Sequence, residues 1–539
     1  MASTPNITNI IVVMLENRSY DNVLGWLYNS ANAPPYNQAP AGQADLNGLT
    51  GSESNPNPIP PPETISITNA AATNVPNYDP GELFCDMAQQ FLGLPSIPTT
   101  DPYTNPPSKT VPMQGFTTNY AALTKDGKPI VPAANYGDCI TYLTPAQVPV
   151  TAFLASNFAV CDQWFASVPC QTFTNRNFVH CAGPAVYPGS RFIAPFSLVN
   201  DAQYVINNAE SGLQETSSIF SALDAAFPNS STPHWKLYFF DYSIAMEIVP
   251  YVYQKAISSS NVNVATYDNT DWGNEVPFSL NGNLGAVPPT FMDDLAAGNL
   301  PKLSFIEPRY SNDWAAFPNP PNSNHPGPSA TIPEKTDPPT DVADGEAFLM
   351  QLYNALRASS YWNTCLLIIT YDEHGGLYDH VYPPAAVSPG AAFPPANDMI
   401  DGSAQGFPFT LLGGRVPAII VSPFVPSGST IRNSGSAPFD HTSVIKTVWD
   451  CFNLSSHLAP STSLTLRDQA APSVMPFLSA TANNTTGPYS GSTLQQTSPN
   501  TARIGRKKMP QEVEALAKAR IEKSMRGRDS LSTWSGAGY

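Results

Sequence analysis

The chain has 539 residues and a formal net charge of −17, and only 12% of its residues are charged. This acidic balance argues against nucleic acid and against broad attachment to anionic lipid, since both are bound through basic patches. Hydrophobic residues make up 42% of the chain, which is enough for a large core, but no apolar run approaches the roughly 18 residues that a transmembrane helix needs.

The first predicted element is a buried strand at Ile10–Leu15, which is followed directly by Glu16, Asn17 and Asp21. Short apolar runs rich in β-branched residues are typical of buried strands. Ligands in open α/β sheets bind beyond the carboxyl ends of the strands. Glu16 and Asn17 offer the hard oxygen ligands that Ca²⁺, Mg²⁺ or Mn²⁺ prefer. The alternative is that this polar segment only caps the next helix.

A second polar segment runs from Pro169 to Phe178 between two apolar stretches. Within it Thr172 precedes Asn175 and Arg176. A hydroxyl near an amide and a guanidinium has the composition of a nucleophile with oxyanion and phosphate donors. Considered alone, such a segment is more often a loop with a helix cap.

The seven cysteines lack CxxC spacing, so a zinc–thiolate site is not indicated. Cys170 and Cys181 flank the Thr172 segment, and a disulfide between them would stiffen it. The sequence leaves open whether this disulfide forms.

Further strands and helices alternate along the chain, which predicts a layered α/β domain. Thr144–Gln147 has the spacing of a capping box with Pro at the first helical position, and apolar residues over 348–356 have helical spacing. The predicted strands are Trp235–Phe240, Leu303–Ile306, Leu366–Thr370 and Ala418–Val421.

The most informative segment follows the strand at Leu366–Thr370. Asp372 and Glu373 are adjacent carboxylates, and they repel each other unless a cation or a shared proton holds them. His374 is a candidate acid or base. The two glycines at 375–376 allow the backbone to approach a ligand closely. A solvated acidic turn is the alternative interpretation.

Two further histidines belong to this set of candidates. His325 lies in a Pro-rich loop without apolar periodicity, so a core role is not indicated. Asp440 and His441 precede an amphipathic helical pattern over 444–452. For Asp440 a helix cap and a catalytic role remain equal alternatives.

Four segments together resemble the phosphoesterase family that contains non-specific phospholipases C and an acid phosphatase branch. They occur in the family's order, and the resemblance spans roughly residues 7–455. Thr174 stands where the family usually has Pro, and Cys170 and Gln171 replace a small residue, so the substrate range stays open. The four segments are Glu16–Asp21, Pro169–Arg176, Asp372–His380 and Asp440–Ser443.

The resemblance implies an alkaline-phosphatase-like three-layer α/β fold, with a mostly parallel central sheet flanked by helices and long Pro-rich loop insertions. It implies a metal-dependent phospholipase C that cleaves phospholipid head groups through a covalent phosphothreonine. Carried over by position, it implies one divalent metal ion, either Ca²⁺ or Mg²⁺ or Mn²⁺, that is bound by Glu16, Asn17, Asp372 and Glu373. It also implies that Thr172 is the nucleophile and that His325 or His374 is the proton donor. Substrate contacts are implied for Asn175, Arg176 and His441.

Three alternatives compete with this interpretation. An acid phosphatase acting on small phosphomonoesters would use the same site. A sulfatase would need a Cys/Ser-x-Pro-x-Arg signature, which is missing around Cys170. A non-catalytic binding protein would be expected to lack a ligand or the nucleophile, and none is lacking.

We expect a catalytic domain over residues 1–500 and a basic tail with a short helix over 501–539. The chain begins without a signal peptide. It is therefore expected to be secreted or periplasmic if a leader was removed, and cytoplasmic otherwise. The sequence does not indicate the oligomeric state.

Overall fold

The computed structural model describes residues 5–27, 46–98, 103, 111–125, 127–184, 217–228, 232–239, 243–256, 264–266, 289–310, 321–327, 340–390, 407–435 and 437–491. The predicted basic tail at 501–539 lies outside these residues. No helix in the described ranges combines the length and the apolar character that a membrane span requires.

An eight-stranded sheet forms the centre of the described fold. Only the strand Ala418–Val421 runs against its neighbours, so the sheet is mostly parallel. The α/β class and the predicted strands are confirmed. In chain order the strands are β1 Asn9–Leu15, β2 Ala159–Val160, β3 Trp235–Phe239, β4 Val264–Thr266, β5 Leu303–Ile306, β6 Cys365–Tyr371, β7 Ala418–Val421 and β8 Ser429–Thr430. Their spatial order across the sheet is β4-β3-β5-β1-β6-β7-β2-β8.

The two central strands, β1 and β6, are buried along their whole length. Their apolar residues are continuous, not alternating, as expected for parallel strands covered on both faces. The register pairs Leu15 with Tyr371, and the N–H of Asp372 donates to the carbonyl of Leu15. As a result, both strands end at the same level, and the acidic residues that follow them meet.

Helices pack in two groups. One is built around the helices Pro149–Asn157 and Val342–Ala358, and the other around Thr172–Cys181 and Thr442–Cys451. With a sheet buried on both faces, they complete a three-layer arrangement. The α-helices are α1 Tyr20–Leu24, α2 Phe84–Leu92, α3 Phe116–Ala122, α4 Pro149–Asn157, α5 Thr172–Cys181, α6 Ile219–Ala226, α7 Ile244–Ile248, α8 Pro250–Ala256, α9 Phe291–Ala297, α10 Val342–Ala358, α11 Thr442–Cys451, α12 Leu454–His457 and α13 Leu466–Ala470.

Shorter elements complete the described part of the chain. The 3₁₀ helices are Gly25–Leu27, Ala133–Asn135, Asp138–Ile140, Ser360–Thr364 and Met475–Phe477. The two-stranded pairs are Ser54–Pro56 with Thr64–Ser66, Thr68–Asn69 with Thr141–Tyr142, Thr124–Lys125 with Lys128–Pro129, and Trp164–Phe165 with Phe439–Asp440.

One local expectation needs correction, and one question that the sequence leaves open is answered. The residues at 144–147 form a turn, in which the N–H and hydroxyl of Thr144 both donate to Gln147 Oε1, and the helix begins only at Pro149. Cys170 and Cys181 form no disulfide, because they lie at opposite ends of α5. A helix rises about 1.5 Å per residue, which separates them by far more than the roughly 6 Å between Cα atoms that a disulfide spans.

The close approach of the β1 and β6 ends depends on Gly375. Its φ is +64°, and a Cβ there would lie 2.0 Å from the carbonyl oxygen of Asn17. We predict that Gly375→Ala lowers the free energy of unfolding by more than about 2 kcal/mol, because strain and collision add. Gly298→Ala is the control. Gly298 also has a positive φ, +76°, but no neighbouring atom lies within 4 Å of the position that its Cβ would occupy. This substitution should cost only about 1 kcal/mol. Denaturant unfolding measures both free energies of unfolding. Equal losses of stability in Gly375→Ala and Gly298→Ala would contradict a role for the collision with Asn17.

Candidate active site

The ends of β1 and β6 and the start of α5 bring the predicted nucleophile and metal ligands together. Asn17 follows β1, and its N–H donates to Asp372 Oδ1 at 3.2 Å. The Thr172 hydroxyl donates to Asn17 Oδ1 at 3.4 Å. Glu16 and Glu373 are the immediate neighbours of Asn17 and Asp372, and both are buried. The five residues therefore form one cluster at the strand ends.

Thr172 is the first residue of α5, and it is 3% exposed. The first N–H groups of a helix have no partner within the helix, and the helix dipole favours negative charge at this end. A phosphoryl group in contact with the Thr172 hydroxyl would therefore face a helix N-terminus, which is a favourable anion site.

Arg176 lies one turn further along α5 and is fully buried. Its Nε donates to Asp372 Oδ2 at 3.0 Å. Other guanidinium nitrogens lie 3.7 Å from Glu307 Oε1 and 4.0 Å from Glu16 Oε1, and the guanidinium lies over the Tyr310 ring. These contacts neutralise and orient carboxylates, while Nη1 is buried without a hydrogen-bond partner in the described part of the chain.

Asn175 holds the loop that precedes the nucleophile. Its Oδ1 accepts from the Val168 N–H at 3.1 Å, and its Nδ2 donates to the carbonyl of Cys170 at 2.7 Å. Because the whole amide is used inside the protein, these contacts favour loop positioning for Asn175.

His441 contacts the backbone of Asp372. The indole N–H of Trp164 donates to His441 Nδ1 at 3.4 Å, so the ring proton resides on Nε2 and is donated to the Asp372 carbonyl at 2.6 Å. Burial lowers the pKa of His441, which keeps the ring neutral. His441 thus holds Asp372 in place. Asp440, beside it, accepts from the Thr442 N–H at the start of α11, as a helix cap does.

The carboxylates of this cluster fit a divalent cation. Burial, followed by repulsion from Asp372, raises the pKa of Glu16, and burial together with Glu82 and Asp372 raises that of Glu373. Glu373 Oε1 is buried and has no hydrogen-bond partner in the described part of the chain. Buried carboxylates that lack partners are costly, and hard oxygen donors suit Ca²⁺, Mg²⁺ or Mn²⁺.

Glu82 is a site residue that the sequence analysis missed. It lies just before α2 and accepts from Asn17 Nδ2 at 2.7 Å. This bond orients the Asn17 amide, so that its oxygen faces Thr172. Burial is the main cause that raises the pKa of Glu82 to about 8. The available signal was the Asp79–Glu82 segment, which places two acids around a Pro-Gly turn directly before a helix.

The two candidate proton donors differ in their surroundings. His374 is fully buried, packs against Phe91, and contacts Gln90 Oε1 through Nε2 at 3.0 Å; burial lowers its pKa to about 3. The His325 side chain is 16% exposed. Its Nδ1 donates to the Pro326 carbonyl at 2.7 Å, which leaves Nε2 facing the site. This geometry favours His325.

A second acidic group in the fold is paired with a buried arginine. Arg415 is fully buried and donates to Asp379 at 2.9 Å and to Asp21 at 3.0 Å. Asp21 also accepts from His380 Nδ1 at 2.7 Å. Burial is the largest single influence and disfavours the charged imidazole, but the charge and hydrogen bond of Asp21, together with the charge of Asp379, raise the pKa of His380.

The phosphoesterase family model matches residues 7–455. The chain belongs to this family. It is 32% identical to non-specific phospholipase C6 of Arabidopsis thaliana, over 84% of this chain and 69% of that protein. It is 27% identical to non-specific phospholipase C3 of the same plant, over 90% and 76%, and 26% identical to phospholipase C A of Mycobacterium tuberculosis, over 82% and 72%. The predicted activity, a phosphoric ester hydrolase, is confirmed.

Among solved structures, the chain is similar to a protein of the alkaline phosphatase superfamily from Vibrio parahaemolyticus. The TM-score is 0.29 and the identity 13%, over 60% of this chain and 64% of that one. The α/β assignment given above depends on the sheet and helices of this phosphoesterase itself.

The raised pKa of Glu82 makes the stability of this phosphoesterase depend on pH. Its folded pKa is about 8 against an ordinary value of 4.5, so the folded state keeps a proton that the unfolded state has released. We predict that the chelator-treated protein loses stability as pH rises from 4.5 to 8. Glu82→Gln should make this decline shallower. Thermal melting across this range tests it; an unchanged slope in the variant would contradict the prediction.

Proposed function

We propose that this phosphoesterase is a metal-dependent phospholipase C, which releases the phosphorylated head group of a phospholipid through a phosphothreonine at Thr172. The observation that carries the proposal is the position of the Thr172 hydroxyl, at a helix N-terminus and 3.4 Å from the Asn17 amide oxygen. The phospholipase C relatives support the choice of a phosphodiester substrate.

Glu16, Asn17, Asp372 and Glu373 would hold one divalent cation next to Thr172. When bound, such a cation lowers the pKa of a nearby hydroxyl and offsets charge on phosphoryl oxygens. The protein prepares this place in two ways. Glu82 turns the Asn17 oxygen towards Thr172, and Arg176 and His441 hold Asp372 at its side chain and its backbone.

In the first step, the deprotonated Thr172 Oγ1 attacks phosphorus, and the bond from phosphorus to the glycerol oxygen breaks. His325 in its imidazolium form gives its Nε2 proton to that oxygen, so that diacylglycerol leaves as a neutral alcohol and His325 becomes neutral. The N-terminus of α5 faces the charge that develops on the phosphoryl oxygens. In the second step, a water molecule attacks phosphorus and gives a proton to the neutral His325. The bond from phosphorus to Thr172 Oγ1 breaks, the deprotonated Oγ1 is restored, and the head-group phosphomonoester is released.

Removal of the nucleophile should abolish turnover. We predict that Thr172→Ala lowers the rate of phosphocholine release from phosphatidylcholine vesicles by roughly 10³-fold or more. Thr174→Ala is the matched control, because Thr174 is a buried threonine on the same helix, and it should keep a near wild-type rate. Circular dichroism would verify that both variants fold. The opposite ranking of the two variants would overturn the assignment of Thr172. A wild-type enzyme that hydrolyses p-nitrophenyl phosphate but not phosphatidylcholine would make it a phosphomonoesterase.

The role of His325 should depend on the leaving group. General acids contribute roughly 10²–10⁴-fold, and the benefit shrinks when the leaving group is stable as an anion. We predict that His325→Ala slows phosphatidylcholine cleavage much more than cleavage of p-nitrophenyl phosphocholine, which has the same head group.

His457→Ala is the control for His325, since His457 is an exposed imidazole outside the site motifs. It should change neither rate. Equal losses on both substrates with His325→Ala would indicate phosphate binding instead of proton donation. If His325→Ala loses nothing on either substrate, His374 becomes the candidate acid.

A further inference from the structure

The short helix α13 places a buried arginine against the site from outside the region that the family model matches. The match ends at residue 455, and Arg467 is the second residue of α13. Only 3% of Arg467 is exposed. Its Nη1 donates to Asp440 Oδ2 at 2.9 Å and to the carbonyl of Ser167 at 3.1 Å. Arg467 therefore contacts the segment before α11 and the segment before α5 at the same time.

The other contacts of this guanidinium also lie within the protein. Its Nε donates to the carbonyl of Val387, and its Nη2 donates to the carbonyl of Phe409. Its central carbon lies 5.1 Å from the centre of the Phe178 ring, which belongs to α5. The planar fork of an arginine suits such a contact with several acceptors, and a lysine reproduces only part of it. Because all three nitrogens donate within the protein, Arg467 is placed to position other groups and not to bind a substrate.

A continuous series of hydrogen bonds leads from Arg467 to a proposed metal ligand. Asp440 Oδ2 accepts from the Ser167 hydroxyl at 3.2 Å as well as from Arg467. The Ser167 hydroxyl oxygen in turn accepts from the His441 N–H at 3.2 Å. His441 Nε2 donates to the Asp372 carbonyl at 2.6 Å. The position of the Asp372 backbone thus depends on groups that Arg467 fixes.

Helix α13 contacts both ends of α5, the helix that begins with Thr172. The Thr465 hydroxyl, at the start of α13, donates at 3.0 Å to the carbonyl of Ala182, the residue that caps the end of α5. The same hydroxyl accepts from the Arg467 N–H at 3.0 Å, so the two contacts are coupled. At the other end, Arg467 binds the Ser167 carbonyl in the segment that leads to Thr172. The nucleophile helix is therefore held from both sides by α13.

The ion pair with Asp440 makes this arrangement sensitive to the loss of Arg467. Both side chains are only 4% exposed, and Arg467 is the one cation that forms an ion pair with Asp440 in the described part of the chain. Without the guanidinium, Asp440 would stay buried with no positive partner, which is costly. Asp440 would then reorient or take up a proton, and its bond with Ser167 would change with it.

We propose that Arg467 is a positioning residue for phosphoester hydrolysis. Through Asp440, Ser167 and His441 it fixes the backbone of Asp372, and through the Ser167 carbonyl it fixes the approach to Thr172. The inference rests on the proposed function, because the roles of Asp372 and Thr172 belong to it. Partners that orient site residues in this way are typically worth roughly 10–100-fold in metal affinity or activity.

Steady-state kinetics on p-nitrophenyl phosphocholine test this proposal, with the full-length protein supplied with Mn²⁺. Arg467→Met should lower kcat roughly 10–100-fold. The KM should change little, because Arg467 holds the reacting groups and does not touch the substrate. Arg467→Lys should recover a large part of the lost kcat, since an ammonium group retains the ion pair with Asp440.

Lys236→Met is the matched control. Lys236 is a buried cation near the start of β3, whereas the site lies at the ends of the strands, and its Nζ is 2.6 Å from Asp294 Oδ2. This substitution likewise removes the cation from a buried carboxylate, so it should lower the melting temperature but keep a near wild-type kcat. Circular dichroism identifies a temperature at which every variant is fully folded, and all rates are compared there.

Three results would count against the proposal. A wild-type kcat in the folded Arg467→Met variant would overturn it. An equal loss of kcat in Lys236→Met would also overturn it, since destabilisation alone would then explain both losses. No recovery in Arg467→Lys would refute the ion pair as the cause. The double variant Arg467→Met/Asp440→Asn should lose no more kcat than Arg467→Met, because both changes act on one link; losses that multiply would refute that link.

A smaller substitution decides if Arg467→Met does not fold. Ser167→Ala removes the hydroxyl between Asp440 and His441 without removing a charge. A lower kcat at an unchanged KM would support the series of hydrogen bonds, and a wild-type kcat would refute it.

The choice of substrate separates this inference from the proposed function. If the wild type hydrolyses p-nitrophenyl phosphate but no phosphocholine ester, the phospholipase C assignment fails. The same ranking of variants on p-nitrophenyl phosphate would then still support the role of Arg467, and equal rates would overturn it. A wild type that is inactive on all of these substrates would overturn both.

Discussion

The burial of several carboxylates at the shared end of β1 and β6 is the constraint on which the rest of the site depends. Taking a carboxylate out of water costs several kcal/mol unless a positive charge and hydrogen bonds compensate. The fold compensates part of this cost with the fully buried Arg176, which contacts Asp372, Glu16 and Glu307. The remaining negative charge would favour a bound cation, and such a cation would in turn attract an anionic phosphoryl group.

Rigid support surrounds this charged cluster. His441 and Trp164 hold the backbone of Asp372, and Asn175 ties the loop before Thr172 to α5. Asn17 has a φ of +56°, an uncommon conformation for a residue other than glycine. Such a strained residue persists only where its surroundings over-determine it. The side chains that surround the reacting atoms are therefore held in position before a substrate binds.

The two acidic groups beside the cluster illustrate two solutions to one electrostatic problem. Around Asp21 and Asp379 the protein supplies Arg415, so the charge is balanced permanently and the group is structural. Around Asp79 and Glu82 no such arginine appears in the described residues, and the balance is left to an exchangeable partner. A proton on Glu82, whose pKa burial raises to about 8, reduces the negative charge there and makes the stability depend on pH.

The sequence by itself determined the strands, the order of the motifs and the family, because continuous apolar runs form buried strands and polar residues at their ends define one edge of the sheet. It could not assign the contacts of individual side chains. Contact of Asn175, Arg176 and His441 with substrate stays a prediction. Their contacts within the protein, and the position of Glu82 beside Asn17, follow only from the fold. The tertiary structure alone decided these points. Its contacts join residues far apart in the chain, such as Glu82 with Asn17 and Arg176 with Asp372, and no local pattern encodes such pairings.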